Sequence, residues 1–322
     1  MHNKSLELTP WRSDGAIDKV CRGSLRAGES AAQLNSMLGG SEVASAPGAG
    51  PMQIDNHFRQ MFPNVSLEIG DMFLLEAFQI AYLPGWAPEE ELASVLLAHP
   101  SLKRFMLQKC PEVQPYIDRI TEQAKQPVSP GELLQHGQKL VWTIADMLVY
   151  NKCPEAYDNQ EFHKWDFAEI TSLTSLEGKI VIDGGAGTGR VALDAAPICR
   201  YVFAVEPVTR LREFLLEKAF GLSLTNVFVT DGYLHRLPFA KGFADVLITS
   251  HALGWKLEQE LQEFERVVKP GGTIIHCPGT SEKGPEEDRH HRLISAEWGY
   301  KHSRFWEADG WKRKYWKETR AT

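Results

Sequence analysis

The second half of the chain alternates short apolar runs with segments of helical spacing. Residues 180–182, 201–205, 226–230 and 245–250 are rich in Val, Ile, Leu and Phe. Short continuous apolar runs are typical of buried strands, and their alternation with helices is typical of a parallel sheet. We therefore predict an α/β domain in this half of the chain.

The C-terminal end predicts a different strand pairing. Two aromatic-rich runs, residues 300–307 and 311–317, flank Asp309-Gly310. Asp-Gly between two such runs is a strong hairpin signal. We expect an antiparallel hairpin that closes the sheet, preceded by a helix over residues 286–298.

The first half of the chain predicts helices instead of strands. Ser129 and Glu132 form a capping box ahead of one long helix, whose apolar positions extend to Leu148. Residues 87–97 place proline and glutamates in a first turn before apolar residues at helical spacing.

These patterns divide the chain into three parts. Residues 1–50, rich in Ser, Gly and Ala, predict a flexible extension. Residues 51–170 predict a helical cap that covers the substrate pocket. Residues 171–322 predict the domain that carries the chemistry.

Composition and charge narrow the range of partners. The 322-residue chain is 43% hydrophobic and 24% charged, with a net charge of -7 and a pI near 5.9. A global basic field for nucleic acid is therefore absent, and we expect no nucleic-acid partner. A local basic cluster is interpreted as the solvent face of the hairpin: Lys312, Arg313, Lys314, Lys317 and Arg320.

Five cysteines without metal spacing favour reduced thiols, and so a cytoplasmic location. No apolar signal-peptide region follows the N-terminus, and the most apolar stretch, residues 72–83, contains Glu76 and is too short to span a bilayer. His290-His291 has no spaced partner ligands, so no metal site is expected.

The most informative segment is the glycine turn after the first apolar run. Asp183 ends the run, and Gly184, Gly185, Gly187 and Gly189 follow before a predicted helix. Such a turn lets a ligand approach the backbone, and we expect its N–H groups to face an open site. A carboxylate at the strand tip repels a pyrophosphate but can bind an ammonium or hydroxyl group.

A dinucleotide site is the main alternative for this turn. The pattern G-x-G-x-x-A is satisfied by residues 187–192. That register begins well past the end of the strand, whereas a pyrophosphate turn begins at the strand end. An NAD-type oxidoreductase is therefore kept as a less favoured hypothesis.

The next two apolar runs also end in acidic residues, Glu206-Pro207 and Asp231-Gly232. A carboxylate can accept both hydroxyls of a ribose, and Asp231 can accept from the exocyclic amine of adenine. Because the carboxyl ends of parallel strands meet at one edge, we expect the three acids to lie close together.

This ordered series resembles the class I S-adenosylmethionine-dependent methyltransferases, and among them the type 11 group that includes quinone-biosynthesis methyltransferases. The likeness covers the C-terminal half and is carried by residues 181–189, 204–207, 230–232 with 237–239, 244–247 and 267–275. It implies a Rossmann-like, seven-stranded sheet that binds S-adenosyl-L-methionine at its carboxyl edge and yields S-adenosyl-L-homocysteine.

The resemblance also implies roles for single residues. Glu206 with Pro207 would bind the ribose, and Asp231 with Gly232 the adenine. The loop around the methionine portion would consist of Asp183, Gly184, Gly185, Ala186 and Gly187.

Three further residues are expected to reach the reacting groups. Ser250 and His251 correspond to the stretch that faces the sulfonium and the substrate, and Tyr157 is expected to touch the carboxylate of the cofactor. Methyl transfer is an in-line displacement, so the protein mainly positions a small-molecule acceptor about 3 Å from the methyl group. Since imidazole titrates near neutral pH, His251 is the candidate base.

A third hypothesis is a non-catalytic regulator or assembly protein that keeps the fold and the ligand. Its interface would be the N-terminal region, and it would bind the ligand without turnover.

Overall fold

The computed structural model describes residues 58–124, 129–254, 256–279, 290–307 and 310–320. The extension predicted for residues 1–50 lies outside the described residues. Across the described ranges, no helix is long and apolar enough to cross a membrane.

Seven strands form one sheet in the C-terminal half. They are Ile180–Gly184 (β1), Tyr201–Val205 (β2), Val227–Thr230 (β3), Ala244–Ser250 (β4), Val268–Cys277 (β5), Lys301–Glu307 (β6) and Gly310–Glu318 (β7). Their order is β3-β2-β1-β4-β5-β7-β6. The first five pair in parallel, and β7 runs antiparallel to both β5 and β6. The predicted Rossmann-like sheet with an antiparallel last hairpin is confirmed.

The apolar strands are buried on both faces, as their continuous hydrophobic runs predicted. Val181 and Ile248 belong to one hydrophobic core, whereas their neighbours Ile182 and Leu247 belong to another. Successive side chains of a strand face opposite sides, so the two cores lie on the two faces of the sheet. Because β1 to β5 pair in parallel, their carboxyl ends lie along one edge of this sheet.

Eleven α-helices lie among the described residues. Eight precede the sheet: Ala77–Tyr82 (α1), Glu89–Ala98 (α2), Pro100–Lys109 (α3), Gln114–Gln123 (α4), Pro130–Thr143 (α5), Ala145–Lys152 (α6), Pro154–Asp158 (α7) and Ala168–Thr171 (α8). Three lie between strands: Arg190–Ala195 (α9), Thr209–Gly221 (α10) and Leu257–Val267 (α11).

Two helix predictions need correction. The helix expected after Ser129 has the predicted capping box but breaks at Ile144, where φ is -107° and ψ is 25°, so it forms α5 and α6. In the helix expected at 286–298, residues 286–289 lie outside the described part, and the rest forms only a short 3₁₀ turn, His291–Ile294.

The helices before the sheet have a hydrophobic core of their own, which includes Met72, Leu96, Leu140 and Leu148. This helical part is tied to the sheet by polar contacts. The N–H of Thr209 donates to Glu76 at 2.7 Å, and Lys218 pairs with Asp158 at 2.7 Å. The cap is thus held against α10, the helix that follows β2.

The basic cluster of the hairpin is not a solvent face. β7 lies inside the sheet, with β6 at the edge, and the side chain of Lys314 is 1% exposed. Lys314 pairs with Glu307 at 2.7 Å and with Glu169, and its ammonium lies 4.5 Å from the ring centroid of Trp165. The interpretation of this cluster as solvent-exposed was wrong for Lys312, Arg313, Lys314 and Lys317, which are buried, whereas Arg320 is exposed. Lys314 can be buried because the carboxylates of Glu169 and Glu307 neutralise its charge.

Candidate functional site

A cleft lies between the helical cap and the carboxyl edge of the sheet. Its empty volume is about 970 Å³, with space open to solvent included. No lysine or arginine is found among the described residues that line it. The cap contributes Phe78, Tyr82, Asp146, Tyr150 and Tyr157, and the sheet side contributes Gly185, Gly187, Glu206, Gly232, Ser250 and His251.

The glycine turn requires its glycines for conformation and for space. Gly185 and Gly187 have φ values of 69° and 53°, in the left-handed region that other residues rarely adopt. A Cβ at Gly185 would overlap the Cβ of Ala252, and one at Gly187 would lie 3.4 Å from the Tyr157 ring. Both positions line the cleft, so the backbone forms its floor here.

The N–H groups of this turn are used differently from our expectation. Those of Gly185 and Ala186 donate to the carbonyl of Val205 at 2.9 and 3.0 Å. The N–H of Gly187 donates to the Glu206 carboxylate at 2.9 Å. The prediction that these donors face an open site was wrong, because the turn satisfies them with the tip of β2.

Asp183 lies beneath the turn and is not among the residues that line the cleft. It is 1% exposed, and its carboxylate accepts a 2.9 Å hydrogen bond from the N–H of Ala192 in α9. Burial raises the pKa of Asp183 to about 7, and the charge of Glu206 contributes. Gly184 and Ala186 also do not line the cleft. Asp183 is therefore placed to hold α9 against β1.

Glu206 lies at the tip of β2 and does line the cleft. One carboxylate oxygen accepts from the N–H of Gly187, and the other accepts from the N–H of Val208 at 2.9 Å. Burial raises the pKa of Glu206 to about 7. Because each carboxylate oxygen can accept more than one hydrogen bond, both can still accept from ligand hydroxyls.

Asp231 does not line the cleft, although Gly232 does. Its side chain is 68% exposed and pairs with Arg212 at 3.2 Å. The same guanidinium donates to the carbonyls of Glu206 and Pro207 at 2.8 and 2.7 Å. Arg212 therefore holds the tips of β2 and β3 together, and Pro207 forms part of the cleft wall.

Ser250 and His251 both line the cleft where β4 ends. His251 has a φ of 55°, an uncommon value for a residue with a side chain. Its Nδ1 lies 3.0 Å from the Ser250 hydroxyl, and its ring centroid lies 5.2 Å from that of Phe162. A Cβ at Gly279 would overlap the His251 ring, so the chain leaves room for imidazole at this point.

Tyr157 reaches the cleft from the cap, at the end of α7. Its ring lies 4.7 Å from the ring of Tyr150 in an edge-to-face arrangement. Burial raises the pKa of both hydroxyls, and the carboxylates of Glu206 and Asp146 add to this effect. Both hydroxyls therefore remain protonated at neutral pH.

Sequence reasoning predicted that a cap covers the pocket and that Tyr157 reaches it, but it missed several other residues of the cleft. Tyr82, Asp146 and Tyr150 line the cleft, and so does Glu260 from α11. Asp146 offered a signal, since it is the one acid in the otherwise apolar stretch at residues 144–149. The others offered none, because their positions depend on how separate elements pack.

Comparison with known proteins assigns a class to the sheet domain. Residues 182–276 match the family model described as a methyltransferase domain. An uncharacterized methyltransferase from Anoxybacillus flavithermus is 25% identical over 132 residues, which cover 39% of this chain and 60% of that protein. One from Geobacillus kaustophilus is 23% identical over 133 residues, with coverages of 39% and 60%. This chain thus spans about 60% of the length of these two relatives.

One similar solved structure is a SAM-dependent methyltransferase from Aquifex aeolicus. It is 19% identical, with a TM-score of 0.43, over 52% of this chain and 96% of the other. The prediction of a methyltransferase domain in the C-terminal half is confirmed by the family match.

Proposed function

We propose that this chain uses S-adenosyl-L-methionine to methylate a small molecule held between the cap and the sheet. The observation that carries the proposal is an acidic, aromatic cleft at the carboxyl edge of a methyltransferase domain. Seven residues of the cap line the cleft at this edge, which favours a small acceptor over a macromolecule.

The residues of the cleft fit a cationic nucleoside better than a dinucleotide. Glu206 offers carboxylate oxygens for a ribose, and Gly187 allows close approach to the backbone. A pyrophosphate would meet Glu206 and Asp146 without a lysine or arginine among the described lining residues. This charge distribution supports S-adenosylmethionine over the NAD-type alternative.

The bound cofactor would supply a methyl group that its sulfonium has already activated for displacement. The chain would then mainly orient the two ligands and exclude water. Glu206 and Gly232 would hold the nucleoside, with Asp231 at the adenine side, and Tyr157 would contact the amino-acid end. His251, whose ring is oriented by Ser250, would take the proton from an oxygen or carbon acceptor.

Calorimetry with S-adenosylhomocysteine on the full chain tests the binding half of the proposal. We expect micromolar binding, and a melting temperature that NAD does not raise. Absence of binding together with stabilisation by NAD would overturn the proposal in favour of an oxidoreductase. Binding without methyl transfer to any component of a metabolite extract would favour the non-catalytic alternative.

We also propose a cytoplasmic location. Cys153, Cys199 and Cys277 are free thiols, two of them buried, as is usual in a reducing compartment. Fluorescence microscopy of a tagged full chain tests this, and a membrane or extracellular signal would contradict it.

A further inference from the structure

Asp146 is a buried carboxylate that the proposed methyl transfer does not use. It lies in the first turn of α6 and is fully buried, yet it lines the cleft. Neither carboxylate oxygen has a hydrogen-bond partner of good geometry in the described part of the chain, and only the nearby N–H groups of Met147 and Asp146 itself partly offset its burial. A buried polar group without a partner destabilises the folded state. A ligand in the cleft could provide the missing partner.

The other carboxylates around the cleft are arranged differently. Asp183 accepts from the N–H of Ala192, and Glu206 accepts from two backbone N–H groups. Glu260 accepts from the N–H groups of Gly254 and Lys256 at 2.7 and 2.8 Å. These three carboxylates hold loops of their own chain in place, whereas Asp146 holds none.

The surroundings of Asp146 favour a cationic group. Tyr150 and Tyr157, from α6 and α7, are close enough to Asp146 to interact with it electrostatically, and both also interact with Glu206 at the tip of β2. Aromatic rings and carboxylates together are the usual environment of bound ammonium groups. His235, which also lines the cleft, has its pKa lowered to about 4 by burial and by the charge of Lys256, so it is neutral at neutral pH.

We propose that Asp146 is the counter-ion for an ammonium group of a small molecule bound in this cleft. This proposal rests on the proposed function, because it takes the cleft to be the site of methyl transfer. An ammonium group can come from either ligand of a methyl transfer: the amino-acid end of the cofactor, or an acceptor that is itself an amine. In both cases the charge is neutralised by a cap residue, so the cap determines which ligands are bound.

The difference between two pairs of probes isolates the ammonium group. S-adenosylhomocysteine carries it, and methylthioadenosine lacks it but keeps the nucleoside. Benzylamine carries it, and benzyl alcohol has nearly the same shape without charge. The dissociation constants of all four are measured by calorimetry on the full chain, the second pair with S-adenosylhomocysteine present.

The test variant is Asp146→Asn, which keeps the shape of the side chain and removes the charge. The matched control is Asp118→Asn, a cap aspartate that lies outside the cleft and pairs with Lys103 at 3.3 Å. If Asp146→Asn fails to fold, Asp146→Ser replaces it, since serine fits the same space and is also uncharged.

In the Asp146 variant we expect one ammonium-bearing probe to lose about tenfold or more in affinity while its uncharged counterpart does not. Loss with S-adenosylhomocysteine alone assigns Asp146 to the cofactor, and loss with benzylamine alone assigns it to the acceptor. Unchanged affinity ratios in both pairs would overturn the proposal. If the unsubstituted protein binds neither nucleoside, the proposed function fails instead, and the two failures are thereby distinguished.

Discussion

The N–H of Gly187 donates a 2.9 Å hydrogen bond to the carboxylate of Glu206, and so joins the glycine turn after β1 to the tip of β2. The N–H of Val208 holds the second oxygen of the same carboxylate at 2.9 Å. These bonds fix the orientation of the carboxylate before any ligand binds. A preorganised acceptor of this kind binds ribose hydroxyls with little further loss of conformational freedom.

Glu206→Gln should weaken S-adenosylhomocysteine binding by about tenfold or more. Glutamine replaces one carboxylate oxygen by an NH₂ group, which donates hydrogen bonds and cannot accept them. This NH₂ group would then face the N–H of Gly187 or of Val208, so one backbone donor and the ribose lose an acceptor. Calorimetry measures the effect. The control is Glu217→Gln, on the exposed face of α10, which should leave the affinity unchanged. Equal affinities for both variants would exclude Glu206 as a ribose ligand.

Replacement of Asp183 separates direct contact from positioning. Asp183→Ala leaves the N–H of Ala192 without its acceptor, which should destabilise the fold by about 1 to 3 kcal/mol and abolish cofactor binding. Asp183→Asn retains an oxygen acceptor, so we expect it to bind S-adenosylhomocysteine within a few-fold of the unsubstituted chain. A complete loss in Asp183→Asn, with an unchanged melting temperature, would show instead that the charge itself contacts the ligand.

Much of the sheet could be predicted because its signals are local. Strand bounds such as Tyr201–Val205 follow from apolar runs, and Glu206 and Asp231 lie at strand tips because parallel strands end at one edge. The Asp-Gly signal correctly predicted the last hairpin. The protonation and exposure of the acids could not be read in the same way, since these depend on the neighbours that tertiary packing supplies.

The partners of the turn and the cap show why the rest was not predictable. That the N–H of Gly187 faces Glu206 instead of a ligand depends on the distance between two strands, which no local pattern encodes. The burial of Lys314 depends on Glu169, 145 residues earlier in the chain. The signal at Asp146, one acid in an apolar stretch, does not identify a site by itself, because any acid at the start of a helix has the same pattern until its burial is known.

The stability of Asp146→Asn should depend on pH. Burial raises the pKa of Asp146 from 3.8 to about 7 in the folded state. Between pH 3.8 and about pH 7, Asp146 is protonated in the folded chain and ionised in the unfolded chain. The free energy of unfolding therefore falls as the pH rises through this range. Asn lacks this penalty. The variant should therefore match the unsubstituted protein near about pH 4 and be more stable than it near about pH 8.

Thermal melts of both proteins across this pH window measure the difference. Asp118→Asn serves as the control, because its side chain is 42% exposed and removing it relieves no buried charge. A stability difference between Asp146→Asn and the unsubstituted chain that stays constant from acid to alkaline pH would contradict the buried-charge interpretation.

Lys314→Met should destabilise the domain strongly. It removes the cation shared by Glu169 and Glu307 and leaves two carboxylates nearly buried, a change that typically costs about 3 to 5 kcal/mol. Denaturant unfolding measures the loss. A triple variant that adds Glu169→Gln and Glu307→Gln should recover most of it, because the uncompensated charges are gone. A single variant as stable as the unsubstituted chain would show that the ion pair contributes no net stability.

His251→Gln separates base catalysis from binding. If His251 takes the proton of the acceptor, the variant should bind S-adenosylhomocysteine with an affinity within about twofold of the unsubstituted chain. In turnover with a metabolite extract, however, it should form S-adenosylhomocysteine about 10² to 10⁴ times more slowly. Gly279→Ala should reproduce the slow turnover, since its Cβ would occupy the space of the His251 ring. His302→Gln, on the exposed edge strand β6, should change neither quantity. Unchanged turnover in His251→Gln would mean that the acceptor loses no proton to this imidazole, as expected for a nucleophile that reacts through its own lone pair.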